Sequence, residues 1–487
     1  MARQKVARFG VLASLFLLGL SLGGGPLGQT PLWPANLHPA IVALARADSR
    51  QMISVIVSKA PGAGDVEAAA ARLGARVTAR WPFINAFAAE LPAGRAAALA
   101  QLPGVRTVVR EHQASAAATR SSPSGAPQPY VASVRADALW AQGYKGAGVT
   151  VAVVDSGIFA SSATSSDFGG RTLVNLSFNP ATNYTIDKFG HGTHVAGIIG
   201  GDGKNSAGQY VGIAPEVNLL NLKYSLDDGT ANERHLISAL QWVYDNQSRY
   251  NIRVVNISST MGAEQSYMES PTAAAVEQLW FAGVVVVVSA GNRGGESCSV
   301  CYAPASDPYV ITVGAVDDAG TAALTDDFAK AWSSSGTTMD GHSKPDVMAP
   351  GAHIIAYMPN GDLRTNNPTN VVDKNYFKMG GTSMAAPVVT GVIAQLLQAN
   401  PSLTPDQVKW LLQETARTYT GQPDGTPGIV DALSAFNYLQ TGSPDAANQG
   451  LTPSPMLDAD SGTINYSDSL WSNSLWSNSL WSNSLQY

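Results

Sequence analysis

Residues 149–155 read Val-Thr-Val-Ala-Val-Val-Asp, a strand-length apolar run that stops on a carboxylate. Four more apolar runs follow at 219–224, 254–257, 284–288 and 310–313. Apart from Asn221 and Lys223 in the first of these, none alternates apolar with polar residues as a half-solvated strand does. Each is therefore predicted to be buried on both faces, as in a parallel sheet. Helical patterns fill the intervals at 235–247 and 272–281. This alternation makes residues 131–441 a doubly wound α/β domain, a mostly parallel sheet flanked by helices, whose ligands sit beyond the carboxyl ends of the strands. Asp155 directly follows one strand and Asn292 closely follows another, which places both at that edge.

Farther along, Gly-Thr-Ser-Met-Ala-Ala-Pro occupies 381–387, so that Ser383 opens a predicted helix over 384–398. A helix start aims N–H groups and a positive dipole end at whatever lies there. Gly380, Gly381 and Ala385 leave room for another backbone, and Pro387 is placed in the first turn, where a missing N–H is harmless. By itself Ser383 reads as a helix N-cap. Its company changes that. A serine hydroxyl attacks a carbonyl only when an imidazole takes its proton, and the imidazole needs an acid to fix its tautomer. His191, in Gly-His-Gly-Thr-His-Val-Ala-Gly at 190–197, and Asp155 supply those groups. Asn292, closing Ser-Ala-Gly-Asn at 289–292, adds an amide donor for the oxyanion. His194 reads as a buried, hydrogen-bonded histidine rather than a second base.

With these strings in the chain order Asp, His, Ser, the sequence resembles a secreted subtilisin-like serine protease (subtilase) precursor with an inhibitor-type propeptide. Lys-Pro-Asp-Val-Met-Ala-Pro-Gly at 344–351 matches a further family string. The resemblance implies a triad of Asp155, His191 and Ser383, with Asn292 as oxyanion donor. It also implies that Ser258, Ser259 and Thr260 pair with extended substrate, although Asn-Ile-Ser-Ser-Thr at 256–260 departs from the usual Ser-Leu-Gly ending. The pocket for the residue before the scissile bond is then framed by that strand, by Ala290, Gly291 and Asn292, and by residues 300–304. Cys301 falls near where the family often has glycine, which makes the pocket shallow and suited to small residues. The chemistry requires no cofactor. Structural calcium is a family habit; Asp167, Asp227 and Asp228 are its candidates here, each reading first as a solvated loop carboxylate, and no metal ligand is assigned. The implied partners are protein or peptide substrates and the chain's own propeptide, with the enzyme acting as a monomer.

The rest of the chain fits a precursor. Residues 1–28 read as a signal peptide, with Arg3, Lys5 and Arg8 ahead of an apolar run at 11–22, too short to span a bilayer comfortably. Secretion without lasting membrane insertion follows. Residues 49–116 carry strand, helix, two strands, helix, strand, the ferredoxin-like α+β order, and resemble the inhibitor propeptide. Residues 117–130 are linker and maturation region, with the cut expected near Ala116, Ala117 or Ala118 rather than at Arg120, since Arg293 beside Asn292 does not suit a pocket for arginine. Residues 442–487 form a low-complexity tail in which Ser-Leu-Trp-Ser-Asn repeats three times from Ser469, placing Trp471, Trp476 and Trp481 five apart. Cys298 and Cys301 are the two cysteines, read as a local disulfide with free thiols as the alternative. A net charge of −6 gives a nucleic-acid partner no support. The other class considered is a catalytically silent binding or adhesion protein on the same scaffold. An esterase of the α/β-hydrolase type is disfavoured because Gly-x-Ser-x-Gly is absent at Ser383.

Overall fold

A computed structural model describes residues 33–116, 129–159 and 166–457. The predicted signal peptide, residues 117–128 and the tryptophan repeats lie outside the described residues.

The first unit is a four-stranded antiparallel sheet. In chain order it runs α1 (Pro39–Ala47), β1 (Met52–Lys59), α2 (Val66–Arg72), β2 (Arg76–Trp81), β3 (Ala86–Pro92), α3 (Ala96–Ala100) and β4 (Val105–Arg110). The sheet order β2-β3-β1-β4 is the ferredoxin-like arrangement expected from the sequence. Two details differ from expectation. Helix α1 packs on this unit ahead of residue 49, and residues 36–38 bond to Val108 of β4. The helix expected over 93–102 is a 3₁₀ turn at Ala93–Arg95 followed by the five-residue α3.

After β5 (Gln113–Ala116) and the short helices α4 (Tyr130–Ser133) and α5 (Ala136–Trp140) comes the large domain. Its elements begin with β6 (Thr150–Asp155), β7 (Thr172–Ser177), α6 (His191–Gly200), β8 (Asn218–Lys223), β9 (Thr230–Asn232) and α7 (Glu233–Tyr250). They continue with β10 (Ile252–Ile257), β11 (Ser259–Met261), α8 (Pro271–Phe281), β12 (Val285–Ser289), β13 (Ile311–Asp317) and β14 (Phe328–Ala329). A small ladder of β15 (Gly336–Thr337) and β16 (Ser343–Lys344) precedes β17 (Val347–Pro350) and the pair β18 (Ile354–Tyr357) and β19 (Tyr376–Met379), with α9 (Asp362–Asn366) between them. Helices α10 (Thr382–Ala399), α11 (Pro405–Glu414) and α12 (Ala432–Thr441) complete the order.

The main sheet is doubly wound and mostly parallel, in the order β14-β13-β12-β10-β6-β8-β7 with β17 on β13; only β14 runs antiparallel. The all-apolar runs are its central strands. Every residue of β6 and β12 is buried, as strands covered on both faces must be.

Helix α10 is the axis of the core. It packs against β10, β12, β13 and α6, and 16 of its residues are buried. Pro387 sits in its second turn rather than its first, because the helix starts at Thr382. A proline there leaves the carbonyl four residues back, that of Ser383, without its helical donor. Ser258 Oγ donates to that carbonyl at 3.0 Å and replaces the lost bond. The helix also approaches its neighbours very closely. A Cβ at Gly391 would stand 2.4 Å from Ile213 Cβ. Gly391→Ala should therefore cost about 1–3 kcal/mol by overpacking, read as a lower thermal midpoint; an unchanged midpoint would contradict this packing.

Candidate active site

Strand β6 delivers Asp155 as its last residue, only 5% exposed. Helix α6 begins with His191, fully buried. His191 Nδ1 donates to Asp155 Oδ1 at 2.7 Å, and the same oxygen accepts Ser156 N–H at 2.7 Å. With Nδ1 as donor, the ring presents Nε2 as its acceptor, and Nε2 has no hydrogen-bond partner among the described residues.

Two features bring the strand end and the helix start this close. The first is Gly192. A Cβ there would lie 2.3 Å from Gly157 O and 3.0 Å from Asp155 Cβ, so only glycine allows the approach. The second is Asp187, a fully buried carboxylate that the sequence reading did not single out. It accepts Gly190 N–H at 2.7 Å, Thr193 N–H at 2.8 Å, Thr193 Oγ1 at 2.6 Å and Ser156 Oγ at 2.9 Å. Ser156 Oγ in turn accepts Gly192 N–H at 2.9 Å. Asp187 thus caps α6 and ties it to the residue after Asp155. Its only sequence signal is an aspartate four residues ahead of a helix-opening histidine.

Electrostatics follow from this burial. Desolvation works against a positive His191, but the Asp155 carboxylate, helped by Asp187, outweighs it, and the pKa stands above the ordinary imidazole value. His194 behaves oppositely. Burial drives its pKa down to about 3, and its Nε2 bonds Phe377 O at 3.0 Å, so it is the buried, hydrogen-bonded histidine expected.

Ser383 stands in the first turn of α10 and is fully buried. Its Oγ donates to Ser258 O at 2.9 Å, while Ser258 Oγ donates to Ser383 O. Asn256 Nδ2 holds Ser258 Oγ at 2.9 Å, and Thr390 Oγ1 holds Asn256 Oδ1 at 2.8 Å. The serine is therefore hydrogen-bonded to the strand beside it and not to His191. Asn292 Oδ1 accepts Thr382 N–H at 3.0 Å and Thr382 Oγ1 at 3.1 Å, which turns its amide oxygen toward the start of α10 and its NH₂ the other way.

The cleft beside these groups is filled. Strand β5 lies between β11 and β9, antiparallel to both, as the middle strand of a three-stranded sheet. Ala116 is opposite Ser259, Ser115 opposite Thr260 and Ala114 opposite Met261. Ser258, Ser259, Thr260, Ala290 and Cys301 are all buried, and Gly291 takes a left-handed φ of 101° that a side chain would strain. The Cα atoms of Cys298 and Cys301 are 5.4 Å apart, a span that a disulfide bridges. Arg293 lies 3.9 Å over the Tyr302 ring and donates to Thr260 Oγ1 at 3.1 Å, putting a positive charge on this wall.

The three aspartates considered for calcium all meet protein donors. Asp167 accepts from Tyr376 and Asn205, Asp227 from Tyr184 and Lys223, and Asp228 from Thr230. Among the described residues, no group of three or more His, Cys, Asp or Glu is arranged to hold a metal ion.

The Asp155–His191 pair makes a measurable demand. Replacing Asp155 with Asn removes the charge that favours imidazolium and leaves the burial that opposes it. In an NMR titration His191 should fall from above to below the ordinary value of about 6.5. A His191 pKa that does not move would refute the coupling.

Comparison with known proteins identifies the family. The subtilase family model matches residues 146–442, more than half of the chain. Serine protease AprX of Bacillus subtilis is 37% identical over 300 residues, covering 60% of this chain and 66% of AprX, just under two thirds of that relative. Subtilisin E of Bacillus subtilis is 34% identical over 350 residues, covering 72% of this chain and 79% of the relative. The crystal structure of fervidolysin from Fervidobacterium pennivorans superimposes with a TM-score of 0.61 at 25% identity, over 80% of this chain and 61% of that one. With the matched region spanning the whole main sheet together with Asp155, His191, Asn292 and Ser383, the chain belongs to the subtilase family.

Proposed function

We propose that the chain is a secreted serine endopeptidase made as a self-processing zymogen. One observation carries this reading: β5, contributed by the small unit, occupies the strand position between β9 and β11, its last described residue Ala116 opposite Ser259. Extended substrates are recognised in this way by adding a strand to exposed edges. The small unit is then an intramolecular inhibitor whose end lies in the cleft as a substrate would.

In the proposed reaction the Ser383 hydroxyl leaves Ser258 O and turns to His191 Nε2, the acceptor without a partner. His191 takes the proton as Ser383 Oγ attacks the peptide carbonyl, and Asp155 stabilises the imidazolium. The oxyanion receives the Ser383 N–H, an amide at the helix start with no intrahelical partner, and the Asn292 NH₂. His191 then protonates the leaving amine, giving an acyl-enzyme on Ser383 that water hydrolyses by the same steps in reverse. Secretion, the Cys298–Cys301 disulfide and any structural calcium belong to this reading as expectations. Substrates are proteins or peptides.

Ser383→Ala should abolish both self-processing and casein cleavage; a Ser383→Ala chain that still matures would refute the nucleophile. Asn292→Ala should lower kcat about 10²–10³-fold with a smaller change in KM.

The strand register also nominates the cut. Counting on by one from the Ala116–Ser259 pair reaches Ser258, whose carbonyl holds the nucleophile. We infer from this that the cut falls between Ala117 and Ala118. An alanine before the cut agrees with a shallow pocket, and the positive Arg293 on the pocket wall disfavours cleavage after Arg120. N-terminal sequencing of matured protein should read Ala118 first; a start at Ser121 would overturn both the register and the pocket assignment.

A further inference from the structure

The chain does not leave the molecule after α12. Residues 443–457, which composition alone assigns to a low-complexity tail, run back across the large domain and end on the small unit. Asn448 Nδ2 donates to Asp406 Oδ1 at 2.7 Å and to Tyr309 O at 3.0 Å. Tyr309 OH donates to Leu451 O at 2.8 Å and Tyr267 OH to Thr452 O at 2.7 Å. Ser454, fully buried, gives its N–H to Glu277 Oε2 at 2.7 Å, and Glu277 is itself fully buried in α8. Each of these contacts fastens the segment to the large domain.

Its last described turn reaches the other unit. Arg106, near the start of β4, donates through Nη1 to Pro455 O at 3.0 Å and to Leu457 O at 3.4 Å. Met456 and Leu457 are 3% and 6% exposed and join the main apolar cluster, which runs through the large domain and takes in Ile56, Ala88 and Val109 of the small unit's sheet. Strand β4 is the edge strand of that sheet, and its other end leads into β5 in the cleft. Besides its contacts with α7, where Arg234 pairs with Glu90 and Glu111 and Ser238 accepts from Trp81, the small unit is held at both ends of one stretch of chain: by the cleft at residues 113–116 and by the C-terminal segment at Arg106.

We propose that residues 443–457 are a strap that forms part of the propeptide-binding surface and sets how long the cleaved small unit stays bound. The proposal rests on the small unit's being the inhibitor. Cleavage after residue 117 severs the chain on the cleft side and leaves the Arg106 contacts intact. The cleft grip resembles what any substrate has and is lost as β5 dissociates. The strap grip is specific to the small unit and offers no bond for Ser383 to attack. Bonds from a charged guanidinium to two carbonyls are of the stronger kind, so their loss should be readable in a dissociation rate.

The test uses the full chain, followed during self-processing by gel for the cut and by peptide hydrolysis for the appearance of activity. Four proteins are compared: wild type, Arg106→Ala, a chain ending at Gly442, and the chain ending at Gly442 that also carries Arg106→Ala. Arg106→Ala should be cut at the wild-type rate, reach the same final kcat/KM and show a lag between cut and activity about tenfold shorter. The shortened chain should show a shorter lag as well, and adding Arg106→Ala to it should change nothing further, because the partner of Arg106 is already gone. Should the shortened chain fail to fold, Arg106→Lys takes its place: it keeps the charge on a shorter side chain without the planar fork and should give an intermediate lag. A wild-type lag in Arg106→Ala overturns the proposal, as does an additive effect in the double variant. If no cut occurs, or the cut chain is active at once in wild type, it is the zymogen reading that fails instead.

Discussion

Everything in the site depends on how closely the first turn of α6 approaches the end of β6. The 2.7 Å bond between His191 and Asp155 exists only because Gly192 has no Cβ to strike Gly157 O and because Asp187 pins the helix start to Ser156. Asp187 does this at an energetic disadvantage, since burial pushes its carboxyl pKa up and four donors must hold it back. A helix start is a natural place to accept that burden, because its first N–H groups lack partners within the helix.

A second dependence runs through Ser258. Its carbonyl receives the Ser383 hydroxyl, its own hydroxyl repairs the bond that Pro387 removes from α10, and the chain directly after it forms the strand that pairs with β5. On the proposed function, recognition of an extended chain and placement of the nucleophile are therefore mechanically one feature.

The parts of this arrangement that local sequence encodes were legible in it. Buried parallel strands must be continuously apolar, so 149–155 announced both the sheet and the place of Asp155. Small residues around His191 and Ser383 announced close approach. What stayed hidden depends on distant partners. Pro387 looked like a first-turn proline because the hydroxyl that tolerates it comes from Ser258, 129 positions away. β5, β9 and β11 are three or four residues long and exist only as a trio. Asp187 lies in an ordinary loop, and 443–457 has the Pro, Asp and Ala composition of a tail, its docking made by single side chains such as Glu277, Tyr267 and Arg106. Asp167 and Asp227 looked like solvated loop carboxylates, with calcium as the alternative, because the tyrosines that bind them are far off in sequence.

The central claim is that Ser383 is a nucleophile activated by His191. The most direct measurement is reaction of the matured protein with a fluorophosphonate, followed by mass-spectrometric mapping of the modified residue. A single adduct on Ser383 is expected, and it should disappear in His191→Ala. An adduct elsewhere, or one on Ser383 that forms equally fast without His191, would contradict it.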